Sequence, residues 1–154
     1  MKIVNGNIFD CDADVLLHQV NCRGVMGGGV AKQVKQKYPS VFKWYKLWCD
    51  EYKDVAERLG YQPLLGKIQV CEKNNERPYA IINLFAQDGY GRDKCYTDYD
   101  ALRRCLRQVN NEFRGKDIAI PYKMSCDRGG GDWDVVLKII EEELSDCRVT
   151  LYKL

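Results

Sequence analysis

The sequence predicts an α/β sandwich built around a largely parallel sheet. Short runs rich in β-branched and aromatic residues alternate with amphipathic stretches along the whole chain, two of the runs lead straight into glycine-rich joints, and no internal repeat or low-complexity linker breaks the order. At 154 residues the chain has the length of one domain, taken as residues 1–154. A domain of that size buries roughly two-thirds of its unfolded surface and needs no metal or disulfide to fold.

The elements follow in order. "DVLLHQVN" is almost wholly apolar and ends in polar residues, which suits a central strand buried on both faces with functional groups at its carboxyl end. Val30, Val34 and Tyr38 then recur four apart, a helical stripe that stops before Pro39. Ser40 is placed to cap a second helix, in which Val41, Tyr45, Trp48 and Tyr52 form a core-facing stripe. "GKIQV" and "YAIINLF" read as neighbouring strands joined by the turn-like "EKNNERP". Thr97 with Asp100 makes a capping-box pattern ahead of Leu102, Leu106, Val109 and Phe113, the clearest amphipathic helix. "DIAIP" is a further buried strand, "DWDVVLKIIEEEL" a helix opening on acids that suit its positive end, and "RVTLYKL" a last strand.

Composition removes several function classes. The chain carries 24 basic and 22 acidic residues, scattered along its length, so there is no electrostatic footprint for nucleic acid or membrane. Any anionic ligand must be met locally. Eight cysteines without a signal peptide imply reduced thiols and a cytoplasmic protein. No two cysteines form a C-x-x-C pair and there is a single histidine, so no metal site and no cofactor is expected, and the default oligomeric state is a monomer.

"GVMGGGVA" joins a strand to a helix, and "SCDRGGGDW" occupies the same kind of joint after "DIAIP". In α/β sheets ligands collect outside the carboxyl ends of strands, where helix amino termini offer unpaired N–H groups and glycine lets the backbone come close. Two such loops are suited to grip a diphosphate from opposite sides. No Gly-Lys-Ser or Gly-Lys-Thr follows either loop, and Gly24, Gly27 and Gly29 have the dinucleotide fingerprint's spacings in reverse order. The usual nucleotide scaffolds are therefore excluded.

"GNIFD", "LLHQVNCRGVMGGGVAKQVKQKYP", "LLGKIQV", "INLFAQDGYGRDKCYTDYDAL" and "IPYKMSCDRGGGDW" together resemble the macrodomain family, in its branch of ADP-ribose 1''-phosphate processing proteins. The resemblance implies a three-layer α/β/α sandwich with a mixed, mostly parallel six-stranded sheet, an ADP-ribose cleft at its crest and no metal requirement. It implies that Asn7 and Ile8 meet the adenine and that Asn21 meets the distal ribose; Gln19 is a further substrate-binding candidate, and Asn83 and Gln87 either contact the distal ribose or satisfy loop backbone. It assigns Gly24, Val25, Met26, Gly27, Gly28, Gly29 and Val30 to the first phosphate loop. Ser125, Cys126, Asp127, Arg128, Gly129, Gly130 and Gly131 fall to the second, and Tyr152 and Leu154 to the adenine end. The expected ligand is ADP-ribose or a phosphorylated or ester-linked derivative.

Departures from the family pattern are informative. Asn7 replaces a common aspartate, Asp127 and Arg128 replace glycine and an aliphatic residue, and Leu84 and Phe85 stand in the strand where the glutamate-directed ADP-ribosyl hydrolases carry a lysine. The expected activity is removal of phosphate from ADP-ribose 1''-phosphate. The alternatives are an ADP-ribosyl hydrolase acting on modified macromolecules and a noncatalytic ADP-ribose-binding module. His18, Asp127 and Asp132 are the catalytic candidates: His18 as the sole imidazole, able to act as acid or base near neutral pH, and the two aspartates as groups that orient water. Core placement of His18 and helix capping by Asp132 are the structural alternatives.

Overall fold

The computed structural model describes all 154 residues, Met1–Leu154. The strands are β1 (Lys2–Asn5), β2 (Val15–Val20), β3 (Ile68–Glu72), β4 (Ala80–Phe85), β5 (Asp117–Pro121) and β6 (Arg148–Lys153). The helices are α1 (Gly29–Lys37), α2 (Pro39–Leu59), α3 (Tyr99–Glu112) and α4 (Trp133–Glu143), with a short 3-10 turn at Ile8–Asp10. One sheet in the order β1-β6-β5-β2-β4-β3 holds all six strands, and only the β3–β4 pairing is antiparallel.

Period-two alternation in the sheet creates two cores. Leu16, Val20, Ile81, Phe85 and Ala119 face Val34, Val41, Tyr45 and Cys49 of α1 and α2. Val15, Leu17, Ile82, Leu84, Ile118 and Ile120 face Leu102, Leu106 and Val109 of α3 and Val136, Ile139 and Ile140 of α4. The result is the three-layer sandwich, with β2 and β4 buried on both faces. Tyr45 and Trp48 stack on Phe85 with ring centroids 5.8 and 6.0 Å apart, so the aromatic stripe of α2 belongs to the core as its spacing predicts. No helix is long and apolar enough to cross a membrane.

Three local readings are corrected. Helix α2 starts at Pro39, whose missing N–H and fixed φ suit a first helical position, so Ser40 lies inside the helix and caps nothing. The same helix runs on to Leu59 and stops where Gly60 turns left-handed at φ 78°. The cap of α3 is Asp98, which accepts from the Ala101 N–H at 3.0 Å, while Thr97 turns inward to Ser125 and Gly129. Strand β1 leaves no clear pattern in the sequence, because on this edge of the sheet only Val4 is even half-buried.

Asp98→Ala is expected to lower stability by about 1 kcal/mol through loss of the α3 cap, and Ser40→Ala to change it by less than about 0.5 kcal/mol. Urea unfolding of the two variants beside the parent measures the difference.

Candidate functional site

The carboxyl ends of β1, β6, β5 and β2 open into one continuous cleft. Its two parts, cavities of about 250 and 380 Å³, share Val30, Pro121, Tyr122 and Lys123 as common wall. Pockets of this scale take small organic ligands. The larger cavity lies between Asn7, Ile8 and Phe9 after β1 and Tyr152, Lys153 and Leu154 at the end of β6. The smaller lies between the two glycine loops.

The first loop runs from β2 into α1. Asn21 organises its start: Nδ2 donates to Val25 O at 2.8 Å, and Oδ1 accepts from the Arg23 N–H and from the Tyr45 hydroxyl. The Tyr45 hydroxyl in turn accepts from the Val25 N–H, which ties the loop to the core of α2. Gly28 is the amino-terminal cap of α1 and offers no side-chain bond; the first bond of the helix runs from Lys32 N–H to Gly28 O. The Gly29, Val30 and Ala31 amides at this positive helix end are left for a ligand or water.

The second loop is held from three sides. Ser125 Oγ donates to Gln19 Oε1, and Thr97 Oγ1 lies 3.0 Å from both Ser125 O and Gly129 O. Gln19 Nε2 donates to Gln87 Oε1 at 2.7 Å and to Thr97 Oγ1 at 3.0 Å. Behind the loop, the Tyr96 and Thr97 amides donate to Gly129 O and the Gly91 amide to Arg128 O. Contact is so close that a Cβ on Gly130 would sit 2.2 Å from Lys94 O, at a φ of 62°, and only glycine fits. Ser125 itself holds φ 76°, a left-handed conformation that its hydrogen bonds maintain.

The sequence-predicted residues divide between cleft and support. Gln19, Asn21, Val25, Gly27, Gly28, Gly29, Val30, Ser125, Asp127, Arg128 and Gly129 line the smaller cavity, and Asn7, Ile8, Tyr152 and Leu154 the larger. Asn7 Oδ1 is already accepting from the Phe9 N–H, as a cap of the turn. Several expected ligand contacts lie elsewhere. Met26 is buried in the core beneath the loop, and Gly24 lies against the Lys46 side chain. Cys126 Sγ bonds to Met124 O, while the Gly130 and Gly131 amides are spent on Asp127 O and Ser125 O inside the loop. Asp132 caps α4 by accepting from the Asp134 N–H and does not line the cleft, so geometry gives it the capping role.

Asn83 and His18 are corrected together. Asn83 is fully buried inside the sheet, where it is the register partner of His18 on β2 and of Gln69 on β3. The chain of bonds has a fixed start, because Trp44 O can only accept. It takes Gln69 Nε2 at 2.9 Å, Gln69 Oε1 takes Asn83 Nδ2 at 3.0 Å, and Asn83 Oδ1 faces His18 Nε2 at 2.6 Å. His18 therefore carries its proton on Nε2, and its Nδ1 is a buried lone pair without a partner. His18 lies at the floor of the smaller cavity with 2% of its surface exposed. Burial drives its pKa from 6.5 down to about 4, against the smaller upward pull of Asn83. It is neutral at neutral pH and cannot supply a proton as an imidazolium acid, the first of the two roles, acid or base, that the sequence suggests.

Sequence reasoning missed Tyr90, Pro121, Tyr122 and Lys123 as cleft walls and Thr97 as an anchor. The position of "YKM" immediately after the strand "DIAIP" was the available signal, since side chains at strand carboxyl ends face the ligand edge. Burial pushes up the thiol pKa of Cys11, Cys22, Cys49, Cys71, Cys105, Cys126 and Cys147; Cys95 alone is exposed.

A histidine with a folded pKa below its unfolded value contributes stability that is complete above about pH 6.5 and lost as pH falls toward 4, because the unfolded chain takes up the proton first. The loss is expected to reach about 3 kcal/mol across that window. A His18→Leu variant, having no proton site, is expected to lack this component when urea midpoints are compared with the parent from about pH 7 to pH 4.5.

Comparison with known proteins places these features in context. Residues 17–140 match the Macro domain family. An ADP-ribose 1''-phosphate phosphatase of Aspergillus oryzae is 43% identical, in an alignment covering 92% of this chain and 88% of that protein. A DNA ADP-ribosyl glycohydrolase of Mycobacterium tuberculosis is 28% identical over 96% of this chain, which spans only 40% of that protein's length. The solved macrodomain of Mycobacterium tuberculosis DarG superposes with a TM-score of 0.75 at 27% identity, over 99% of this chain and 97% of that one.

Proposed function

The chain belongs to the macrodomain family, and from that premise we propose that it removes phosphate from ADP-ribose 1''-phosphate, giving ADP-ribose and inorganic phosphate. The observation that carries this reading is the 43% identity, over 92% of the chain, with a protein named for that activity. The cleft supports it chemically. Ile8, Phe9, Tyr122 and Tyr152 in its larger cavity are suited to a base, beside Lys123 and Lys153, and the loop amides with Lys123 and Arg128 in its smaller cavity are suited to phosphate.

In the reaction a water oxygen attacks phosphorus and gives up one proton, the bond from phosphorus to the ribose oxygen breaks, and that oxygen leaves as a hydroxyl by taking up one proton, so the water supplies the balance. Catalysis of this kind rests on position and on charge stabilisation. Asp127 is the one carboxylate lining either cavity, and we assign it the orientation of the attacking water. Its carboxylate is held by Arg92 Nε at 3.0 Å, which fixes the rotamer. The loop amides meet the charge on the phosphate oxygens, and neutral His18 shapes the floor beneath them.

The 28% identity to a DNA ADP-ribosyl glycohydrolase favours a second reading, release of ADP-ribose from a modified macromolecule. Incubation with ADP-ribose 1''-phosphate and with mono-ADP-ribosylated DNA, following phosphate and ADP-ribose separately, decides between them. Phosphate release is expected; ADP-ribose release alone would overturn the phosphatase reading.

Two variants test the site. Asp127→Asn is expected to lower phosphate release by about a hundredfold or more while ADP-ribose still binds in calorimetry. Gly28→Val keeps an allowed backbone, since Gly28 has φ −151°, and its added methyls would press on the Arg128 guanidinium over Gly28 and crowd the mouth between the two loops. It is expected to abolish detectable ADP-ribose binding with an unchanged circular dichroism spectrum; undiminished affinity would reduce the first loop to a turn.

A further inference from the structure

We propose that Arg128 is a charged roof over the phosphate seat, reaching from the second glycine loop across the cleft to pair with the diphosphate of the bound ligand. The inference rests on the ADP-ribose reading of the cleft and names a residue that sets its affinity. Its basis is a contact between the two loops: a Cβ built on Gly28 would lie 3.6 Å from Cζ, Nε and Nη2 of Arg128. All three distances are equal, so the guanidinium presents its face to the glycine, spanning the mouth between the loops.

The surroundings leave this cation available. The neighbouring carboxylate, Asp127, is committed to Arg92, and no other acid lines either cavity. Arg128 makes no ion pair in the structure, whereas Arg23, Arg77, Arg92, Arg103 and Arg107 each do. The root of the side chain is nevertheless fixed, since Arg128 O accepts from the Gly91 amide at 2.9 Å and the next carbonyl, Gly129 O, from the Tyr96 and Thr97 amides. A free charged head on an anchored backbone is suited to meet an anion that arrives between the loops.

Chemistry decides the kind of anion. A guanidinium offers a planar fork of donors that matches two oxygens of a phosphate, and it acts here opposite the unbonded amides at the start of α1. An aliphatic roof at this position would exclude water and add nothing to charge recognition. Arg128 thus makes affinity depend on the phosphate charge and on ionic strength, more than the uncharged loops do alone. Because the diphosphate is common to ADP-ribose and to its 1''-phosphate, the contribution is the same for both.

The test uses Arg128→Leu, which keeps an apolar side chain and loses both the charge and the reach of the guanidinium, and Arg128→Lys, which keeps the charge and most of the reach and loses the fork. Calorimetry with ADP-ribose is expected to show Kd raised about tenfold or more in Arg128→Leu, with a flatter dependence on salt, and an intermediate value in Arg128→Lys. KM for ADP-ribose 1''-phosphate is expected to rise by the same factor. Unchanged ADP-ribose affinity in a folded Arg128→Leu protein overturns the proposal, and so does a fall in kcat with that affinity intact, which would put the guanidinium on the departing phosphate. If the parent binds ADP-ribose but releases no phosphate, the phosphatase reading fails while the Kd comparison still tests the roof.

Discussion

The side-chain amide of Gln19 is the point on which the ligand end of this molecule depends. Both of its N–H bonds and its oxygen are in use, toward Gln87, Thr97 and Ser125, so one carboxamide joins the end of β2, the segment after β4, the approach to α3 and the second glycine loop. A group with all its hydrogen bonds made has a single arrangement, and each lost bond would leave a buried partner unpaired at a cost of about 1–3 kcal/mol. The left-handed Ser125 and the tight approach of Gly130 to Lys94 persist because this network surrounds them.

Its neighbour does the equivalent work on the opposite face. Successive residues of a strand point to opposite sides, so His18 points into the layer under α1 and α2 while Gln19 points toward α3 and α4. The ladder of His18, Asn83 and Gln69 crosses three adjoining strands at one level and ends on the backbone of α2 at Trp44. Two polar tethers, one on each face of β2, therefore hold both helical layers to the sheet at the edge where the cleft opens. Neither tether carries a formal charge, and the cations that line the cleft, Lys123, Lys153 and Arg128, make no ion pair within the protein.

Much of this was legible in the sequence. The buried strands, the amphipathic helices and the two glycine joints have periodicities and turn residues that act locally, and they appear where local chemistry puts them. The resemblance of the glycine loops and their flanking fragments supplied the family. What stayed hidden was set by distant partners. Ser40 and Thr97 both looked like caps, and a proline and a long-range hydrogen bond displaced them. His18 looked like a neutral-pH acid or base, and its burial beside Asn83, which removes the acid form, is a property of strand order that no spacing along the chain reveals. Met26 and Cys126 lie within the loops but face away from the cleft, a choice made by backbone dihedrals within each loop.

The sheet places β1 beside β6, so strands more than a hundred residues apart in the chain are hydrogen-bonded neighbours, with Lys2 opposite Thr150 and Asn5 opposite Lys153. The larger cavity lies between the residues that follow β1 and those at the end of β6. That cavity keeps both of these walls only while the two ends of the chain are paired, so fraying of β1 from β6 removes one of them without touching β2 or β5, the strands that lead into the glycine loops.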